Sequence, residues 1–258
     1  MSTPDPAKKL AALVKKLRSG IQGEVRDATH DECPQTADRL LWQFVFSFLA
    51  WESTVARAGA ASKRLHAAVV DYNEMRVALT DELACLIGER YPRAEERAAR
   101  LRSALNDVYK REHGVSLNRI AEMPKRDARL YLESLEGTPS YVSGRMLLLS
   151  LGGHAFPLDD RLQRALLDEG AVPADLSLAD ASGWLERQFR AGEAAEAYLL
   201  LEGWMNDKPI PKPPKRPARR DLARPRPETV PGDDARIARK AAVAEKPRTA
   251  KPRKSTKQ

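Results

Sequence analysis

Residues 135–141 read Leu-Glu-Gly-Thr-Pro-Ser-Tyr, and residues 155–162 read Ala-Phe-Pro-Leu-Asp-Asp-Arg-Leu. The first stretch joins two predicted helices, 125–134 and 140–151, through a tight turn. Backbone N–H groups at the start of the second helix can bind a phosphate, although a plain corner between two helices has the same spacing. The second stretch places Asp159 just before a predicted helix, which is an ordinary N-cap position. Each stretch, taken alone, has a purely structural explanation.

The rest of the sequence repeats its apolar residues at helical spacing, and no segment alternates as a strand does. Residues 6–18 are the clearest case, because Leu10, Leu13 and Leu17 fall on one face and lysines on the other. The predicted fold class is therefore all-α. Helices are expected at residues 6–18, 38–51, 56–70, 81–89, 92–113, 116–121, 125–134, 140–151, 160–169, 177–190 and 193–205.

Capping residues set several of these predicted helix ends. Asp38 and Thr80 are expected N-caps, because their side-chain oxygens can accept hydrogen bonds from the free N–H groups of the first turn. Residues 92–96, a proline followed closely by two acids, are typical of a helix start. Gly114 is the expected residue just beyond the end of that helix, since glycine readily adopts the left-handed conformation required there.

Residues 208–258 differ from the rest of the chain in composition. They hold 17 Lys and Arg against 5 acidic residues, a net charge of +12, and 10 of the 18 prolines. The whole chain carries +8, so residues 1–207 carry −4. A segment so poor in apolar side chains cannot offset the entropy of ordering it, and we expect a disordered tail. Its positive charge favours contact with nucleic acid over a merely solubilising role.

Several classes of protein are excluded or disfavoured. Two cysteines, Cys33 and Cys85, exclude a disulfide framework and a four-cysteine zinc or iron–sulfur site. Residues 30–33 (His-Asp-Glu-Cys) are adjacent and cannot all face one ion, so no metal site is expected. The most apolar run, 40–51, is shorter than the roughly 20 residues that cross a membrane. The first residues lack the pattern of a secretory signal, and we expect a cytoplasmic, nucleoid-associated protein.

The two stretches, in this order and at this spacing, resemble the helix-hairpin-helix DNA glycosylase superfamily that includes endonuclease III. The family's Leu-Pro-Gly-Val-Gly-type hairpin falls on residues 135–139, its aspartate on Asp159 and its following arginine on Arg164. The resemblance extends over residues 38–206. It implies that this chain binds double-stranded DNA and that Asp159 stabilises positive charge on the sugar of a flipped nucleotide.

The sequence also departs from the family pattern. Bifunctional members carry a lysine nucleophile where this chain has Tyr141, so Schiff-base lyase chemistry is not expected. Pro139 replaces a glycine and removes an N–H donor from the hairpin, and Glu136 places a negative charge there. The cluster-binding cysteines are missing, so no iron–sulfur cofactor is expected. The glutamine that wedges into DNA falls on Trp51, which is either an aromatic wedge or a core residue.

The resemblance further implies two helical lobes with a cleft between them. Residues 39–155 would form a helical barrel, and the N-terminal segment 1–38 would pack with a second lobe, 156–207. The chain is expected to be a monomer without membrane contact, and its hairpin is a candidate site for a monovalent cation. The catalytic candidates are Asp159 and Tyr141, and the DNA-binding candidates are Trp51, Gly137, Thr138, Ser140 and Arg164.

Two functions from different classes remain open. The first is a DNA N-glycosylase that releases a damaged or mismatched base without lyase activity, which Asp159 in its expected frame favours. The second is a catalytically silent module that binds DNA or another protein, which Glu136 and Pro139 favour.

Overall fold

The computed structural model describes residues 5–25, 27, 33, 38–88 and 90–210, all of which belong to one compact unit. Within these residues the chain forms twelve α-helices and one π-helical turn, with no strand, so the all-α prediction is confirmed. The helices are α1 Pro6–Ser19, α2 Arg39–Ala50, α3 Val55–Ala68, α4 Tyr72–Val77, α5 Thr80–Ile87, α6 Ala94–Glu112, α7 Asn118–Glu122, α8 Lys125–Ser134, α9 Ser140–Arg145, α10 Asp160–Asp168, α11 Leu178–Gln188 and α12 Ala191–Asn206.

Helix α2 lies at the centre of the fold. Every residue from Leu41 to Ala50 is buried, as expected for a helix that is apolar on all sides. It contacts α3, α6 and α9. Asp38 is its N-cap, as predicted, and accepts hydrogen bonds from the N–H groups of Leu40 and Leu41, both at 3.0 Å. No described helix is long and apolar enough to span a membrane.

Helix α1 packs on α12, near the other end of the described chain. Leu10 of α1 is buried, and Arg18 forms an ion pair with Glu196 at 2.6 Å. This contact joins the N-terminal segment to the segment that follows Asp159. The division of the chain into two lobes remains a prediction.

The predicted helix 140–151 changes character halfway. It is α-helical only to Arg145, and Met146–Ser150 forms a π-helical turn in which the N–H of Leu151 reaches back to the Met146 carbonyl at 3.1 Å. The N–H of Gly153 then donates to the Leu147 carbonyl at 2.8 Å. A Cβ on Gly153 would lie 2.5 Å from the Leu147 side chain, which would have to shift to make room for it.

Three predicted helix ends are wrong. Thr80 is the first residue of α5 instead of its N-cap, and the Leu79 N–H is bound by the Glu82 carboxylate at 3.1 Å. Helix α6 begins at Ala94, after Arg93 adopts a left-handed φ of 53°. His113 also has φ 53°, so it takes the left-handed position expected for the following glycine.

Helix α4 was not predicted, and the folded part extends beyond residue 207, where the basic tail was predicted to begin. The short helix α4 starts after Asp71, whose carboxylate accepts a hydrogen bond from the Glu74 N–H at 2.8 Å. Lys208, which we assigned to the tail, belongs to the folded part. Its carbonyl accepts a hydrogen bond from Arg161 at 2.8 Å, and its ammonium lies 4.4 Å from the Trp204 ring centroid. The predicted disorder further along falls on residues 211–258, outside the described residues.

Candidate active site

A small cavity lies where the turn between α2 and α3 meets α9, α10 and α12. Its volume is about 20 Å³. Asp159 and Tyr141, the two catalytic candidates, both line it, together with Arg161, Tyr198 and Glu202. The fold thus brings the start of α10 against the residue that follows the hairpin.

Asp159 is the N-cap of α10 and is only 6% exposed. One carboxylate oxygen accepts a hydrogen bond from the Leu162 N–H at 2.8 Å, and the other accepts one from the Glu52 N–H at 2.8 Å. Burial raises the pKa of Asp159, although these two hydrogen bonds and the nearby Arg161 oppose the rise. Asp159 therefore both caps a helix and faces the cavity.

Glu52 also accepts a hydrogen bond from the start of α10. Its backbone has the left-handed φ of 53°, and its carboxylate accepts a hydrogen bond from the Asp160 N–H at 2.9 Å. We call this reciprocal pair of hydrogen bonds the Glu52–Asp159 clasp. Burial raises the pKa of Glu52, and the neighbouring charges of Asp159 and Asp160 raise it further. The clasp holds the α2–α3 turn over the start of α10.

Arg161 strengthens the same junction. Its guanidinium is buried and donates to the carbonyls of Ser53 at 2.8 Å, of Lys208 at 2.8 Å and of Met205. Arg164, the predicted DNA-binding arginine, lies instead on the exposed side of α10. Arg161 was not among the predicted site residues. Nothing in the sequence around it shows that the segments containing Ser53, Met205 and Lys208 come together beside it.

Tyr141 belongs to a chain of buried polar groups. Its hydroxyl lies 2.9 Å from the Tyr198 hydroxyl, which donates to Glu202 at 2.8 Å, and Arg145 donates to the same Glu202 oxygen at 3.1 Å. Burial raises the pKa of Tyr141 far above its usual range, so the phenol stays protonated at neutral pH. Arg145 also contacts Gln43, which explains why α2 carries this buried polar residue.

The site is closed. A cavity of about 20 Å³ has room for roughly one water molecule, whereas sites for larger ligands occupy about 300 to 1,000 Å³. A nucleoside does not fit between Asp159 and Tyr141 unless the surrounding elements move apart.

The hairpin packs closely against α6. Gly137 has φ +79°, and a Cβ at this position would lie 2.9 Å from the Arg100 carbonyl oxygen. The Thr138 N–H is already used by the Leu135 carbonyl at 3.1 Å, while Ser140, the first residue of α9, is exposed. Of the hairpin's DNA-binding candidates, Ser140 thus presents its side chain to solvent and Gly137 serves the packing.

Glu136 and Pro139 shape the outer side of the hairpin. The Glu136 side chain is exposed, and its N–H donates to Asp107 at 2.9 Å, which adds a second carboxylate there. Pro139 is the N-cap residue of α9 and provides no side-chain hydrogen bond. No group of three metal-binding side chains occurs among the described residues, and the monovalent cation at the hairpin remains a prediction.

Trp51 is 8% exposed and ends α2. The guanidinium of Arg93 lies 4.7 Å from its ring centroid and that of Arg100 lies 5.4 Å away. Arg97, fully buried, donates to the Trp51 carbonyl at 2.5 Å and to that of Pro92 at 3.1 Å. This packing favours the core alternative for Trp51, and its role as a wedge remains a prediction.

Several solved structures with a similar fold are DNA glycosylases. An endonuclease III trapped in a covalent intermediate with DNA has a TM-score of 0.58 at 15% identity, over 79% of this chain and 86% of its own. A thermostable thymine-DNA glycosylase has a TM-score of 0.53 at 17% identity, over 81% and 90%. The Clostridium acetobutylicum 8-oxoguanine glycosylase/lyase, in complex with double-stranded DNA, has a TM-score of 0.54 at 16% identity, over 80% and 70%.

These similarities confirm the helix-hairpin-helix glycosylase fold that the sequence resemblance implied. At such identities they establish the fold alone. Neither a protein-family model nor a curated protein sequence matches this chain.

Proposed function

We propose that this protein is a DNA N-glycosylase without lyase activity, which takes a damaged or mismatched nucleotide out of the duplex. The observation that carries the proposal is the shared cavity of Asp159 and Tyr141, in a fold similar to that of endonuclease III bound to DNA. A carboxylate beside the sugar can stabilise the positive charge that develops during base excision, and Asp159 is a carboxylate held at the start of a helix.

Asp159, Tyr141 and Glu202, three of the polar residues that line the cavity, have proposed roles. Asp159 stabilises the positive charge that develops on the sugar as the base leaves, and orients the attacking water. Tyr141 offers a protonated phenol instead of an amine, so it can donate a hydrogen bond to the sugar but cannot form a Schiff base. Glu202 holds the Tyr198 hydroxyl and thereby positions Tyr141.

Catalysis by this route requires the site to open. The clasp joins the α2–α3 turn to α10 by two hydrogen bonds, from the Glu52 N–H and the Asp160 N–H. Releasing them frees one oxygen of Asp159 and lets the turn move away from α10. The cost of these hydrogen bonds would add to that of unstacking the nucleotide, so excision is expected to be fastest at lesions that stack poorly.

The test is excision from a panel of duplexes, each with one lesion or mismatch, by the wild type and by Asp159→Asn. We expect base release by the wild type and a loss of about 100-fold or more in the variant, because the charge facing the sugar is removed. Asp38→Asn is the matched control, since Asp38 also caps a helix through its carboxylate. This control should retain activity.

Borohydride trapping tests the absence of lyase chemistry. Without an amine at Tyr141, no covalent adduct should form with a duplex that contains an abasic site. An adduct that disappears when one lysine is replaced would show that the nucleophile lies elsewhere.

The second candidate function is a catalytically silent DNA-binding module. The small volume of the cavity favours this function, because a nucleoside does not fit in it. The exposed Glu136 and the missing N–H of Pro139 favour it as well. If the wild type binds duplex DNA but releases no base from any member of the panel, this second function is correct. Equal release by the wild type and Asp159→Asn would place the catalytic carboxylate elsewhere.

A further inference from the structure

A second concave site lies beside α3, on the outer side of the α5–α6 connection. This recess has a volume of about 250 Å³ and is lined by Arg57 and Arg64 of α3, by Arg90, and by Ile87 and Tyr91. Three arginines thus line one open recess. We call it the arginine recess.

The arginine recess lacks a counter-charge in the described part of the chain. None of Arg57, Arg64 and Arg90 forms an ion pair with a described carboxylate. The neighbouring Arg93 and Arg100 differ, because they share Glu96 at 2.8 and 3.0 Å. Three like charges around one concavity repel each other, and an anion placed between them would offset that repulsion.

The backbone adds to the positive potential of the arginine recess. Arg57 lies in the first turn of α3, where its N–H binds the Thr54 side chain, and the positive end of the helix dipole already disfavours a cation there. Arg64 is held in place because it donates to the carbonyls of Leu86, at 3.1 Å, and Ile87. Arg57 and Arg90 have no comparable anchor among the described residues and remain exposed to bind a ligand.

The arginine recess and the candidate active site both include the start of α3, because Val55 lines the small cavity and Arg57 lines the recess. Tyr91, at its base, donates from its hydroxyl to the Leu49 carbonyl at 2.6 Å, in the last turn of α2. Arg57 follows Glu52 of the clasp closely along the chain. A strand of DNA that enters the site past the α2–α3 turn would therefore pass near these arginines.

We infer that the arginine recess binds a phosphodiester group of a DNA strand. The inference rests on the proposed function for the identity of the ligand, and on the recess for its chemistry. Guanidinium groups bind phosphate oxygens through paired N–H donors. The recess, of about 250 Å³, has room for a phosphate group.

The test uses the full-length chain and the double variant Arg57→Gln/Arg90→Gln, with Arg187→Gln on α11 as the matched control. Binding to an undamaged duplex is measured by fluorescence anisotropy at a series of salt concentrations. We expect the double variant to bind more weakly, with a slope of log K against log salt shallower by about 1, since each neutralised phosphate contributes about 0.9. The control should keep the wild-type slope.

A parallel measurement separates DNA phosphate from free phosphate. The Tm of each protein is followed with inorganic phosphate and with chloride at equal ionic strength. Neither replaced arginine anchors another described residue through its side chain, so we expect the double variant alone to melt no lower than the wild type. A Tm rise with phosphate in the wild type that is absent in the double variant supports an anion site.

The outcomes distinguish this inference from the proposed function. An unchanged salt slope in the double variant overturns the phosphodiester assignment, even if phosphate raises the Tm, and leaves the glycosylase proposal intact. A shallower slope without base excision supports the arginine recess and contradicts the glycosylase. If the wild type does not bind duplex DNA at all, both the phosphodiester assignment and the proposed function are wrong.

Discussion

At the scale of single residues, Asp159 is both the N-cap of α10 and a residue that lines the cavity. A substitution there is therefore expected to change stability as well as the proposed catalysis. Both of its oxygens accept backbone N–H groups, from Leu162 and Glu52, and the same carboxylate faces the cavity. An aspartate that only caps a helix can ordinarily be replaced by asparagine at little cost. That expectation holds for one oxygen only, because Asn presents an NH₂ group to the second N–H.

Asp159→Asn should therefore lower the free energy of unfolding by about 1 to 3 kcal/mol, the cost of an unsatisfied buried donor. Urea denaturation measures this difference against Asp38→Asn, which should lose less. Excision by the two variants must accordingly be compared at temperatures where both are folded.

The difference in stability between the wild type and Asp159→Asn should depend on pH. Burial raises the folded-state pKa of Asp159 above 3.8, so the folded protein binds this proton more tightly than the unfolded chain. The stability of the wild type should then fall as the pH rises from 3.8 through the raised pKa. Because Asn does not titrate, the stability difference between the two proteins is expected to narrow over that interval. A difference that widens with pH would mean that the hydrogen bonds outweigh burial.

At the scale of the secondary-structure elements, the hairpin depends on Gly137. Its left-handed φ of +79° and its approach to the Arg100 carbonyl leave no room for a side chain. Both features allow the loop between α8 and α9 to pack directly against α6. The position of Tyr141 in the cavity follows from this packing, because Tyr141 is the second residue of α9.

Gly137→Ala should destabilise the protein by more than the roughly 1 to 3 kcal/mol expected for left-handed strain alone. Gly152→Ala is the control, since Gly152 has φ +61° and nothing within 4 Å of an added Cβ. Chemical denaturation gives the free energy of unfolding of both variants. Both carry the strain of an alanine at left-handed φ, and only Gly137→Ala adds the steric clash with α6. Equal losses would show that α6 yields easily to the added methyl group.

At the scale of the whole molecule, charge is divided between two parts of the chain. Residues 1–207 carry a net charge of −4, which opposes association with a polyanion. Under the proposed function, attraction to DNA would come from local sites, such as the arginine recess, and from the basic residues that follow the folded part. Lys208 belongs to the folded part, so a truncation that tests the tail should retain it.

Deletion of residues 211–258 should weaken binding to undamaged duplex and flatten its salt dependence, because most of the chain's excess positive charge is removed. The Tm should stay nearly unchanged. A chain of equal length with Gly and Ser in place of the Lys and Arg residues controls for the length of the segment. Tight binding by the truncated protein at the same salt concentration would show that the folded part alone supplies the attraction.

The sequence by itself determined the helical class, most helix positions and the order of hairpin, helix and Asp159. These features are local, since they depend on apolar spacing, capping residues and turn residues that lie close together in the chain. The resemblance to glycosylases depended on the same local order; Asp159 and Tyr141, the two residues it singled out, line one cavity in the fold, and their catalytic role stays a prediction.

Only the tertiary structure decided how that junction is held. Glu52, Arg161 and Glu202 lie far from each other in the chain, and each binds a group of a distant segment: Glu52 binds Asp159, Arg161 binds the Ser53 carbonyl, and Glu202 binds Arg145. Such contacts leave no periodic signal in a single sequence, because any carboxylate or guanidinium can bind a carbonyl or an N–H that the fold brings close. For the same reason the small cavity and the absence of a described carboxylate partner for Arg57 and Arg90 could be recognised only once the helices were packed.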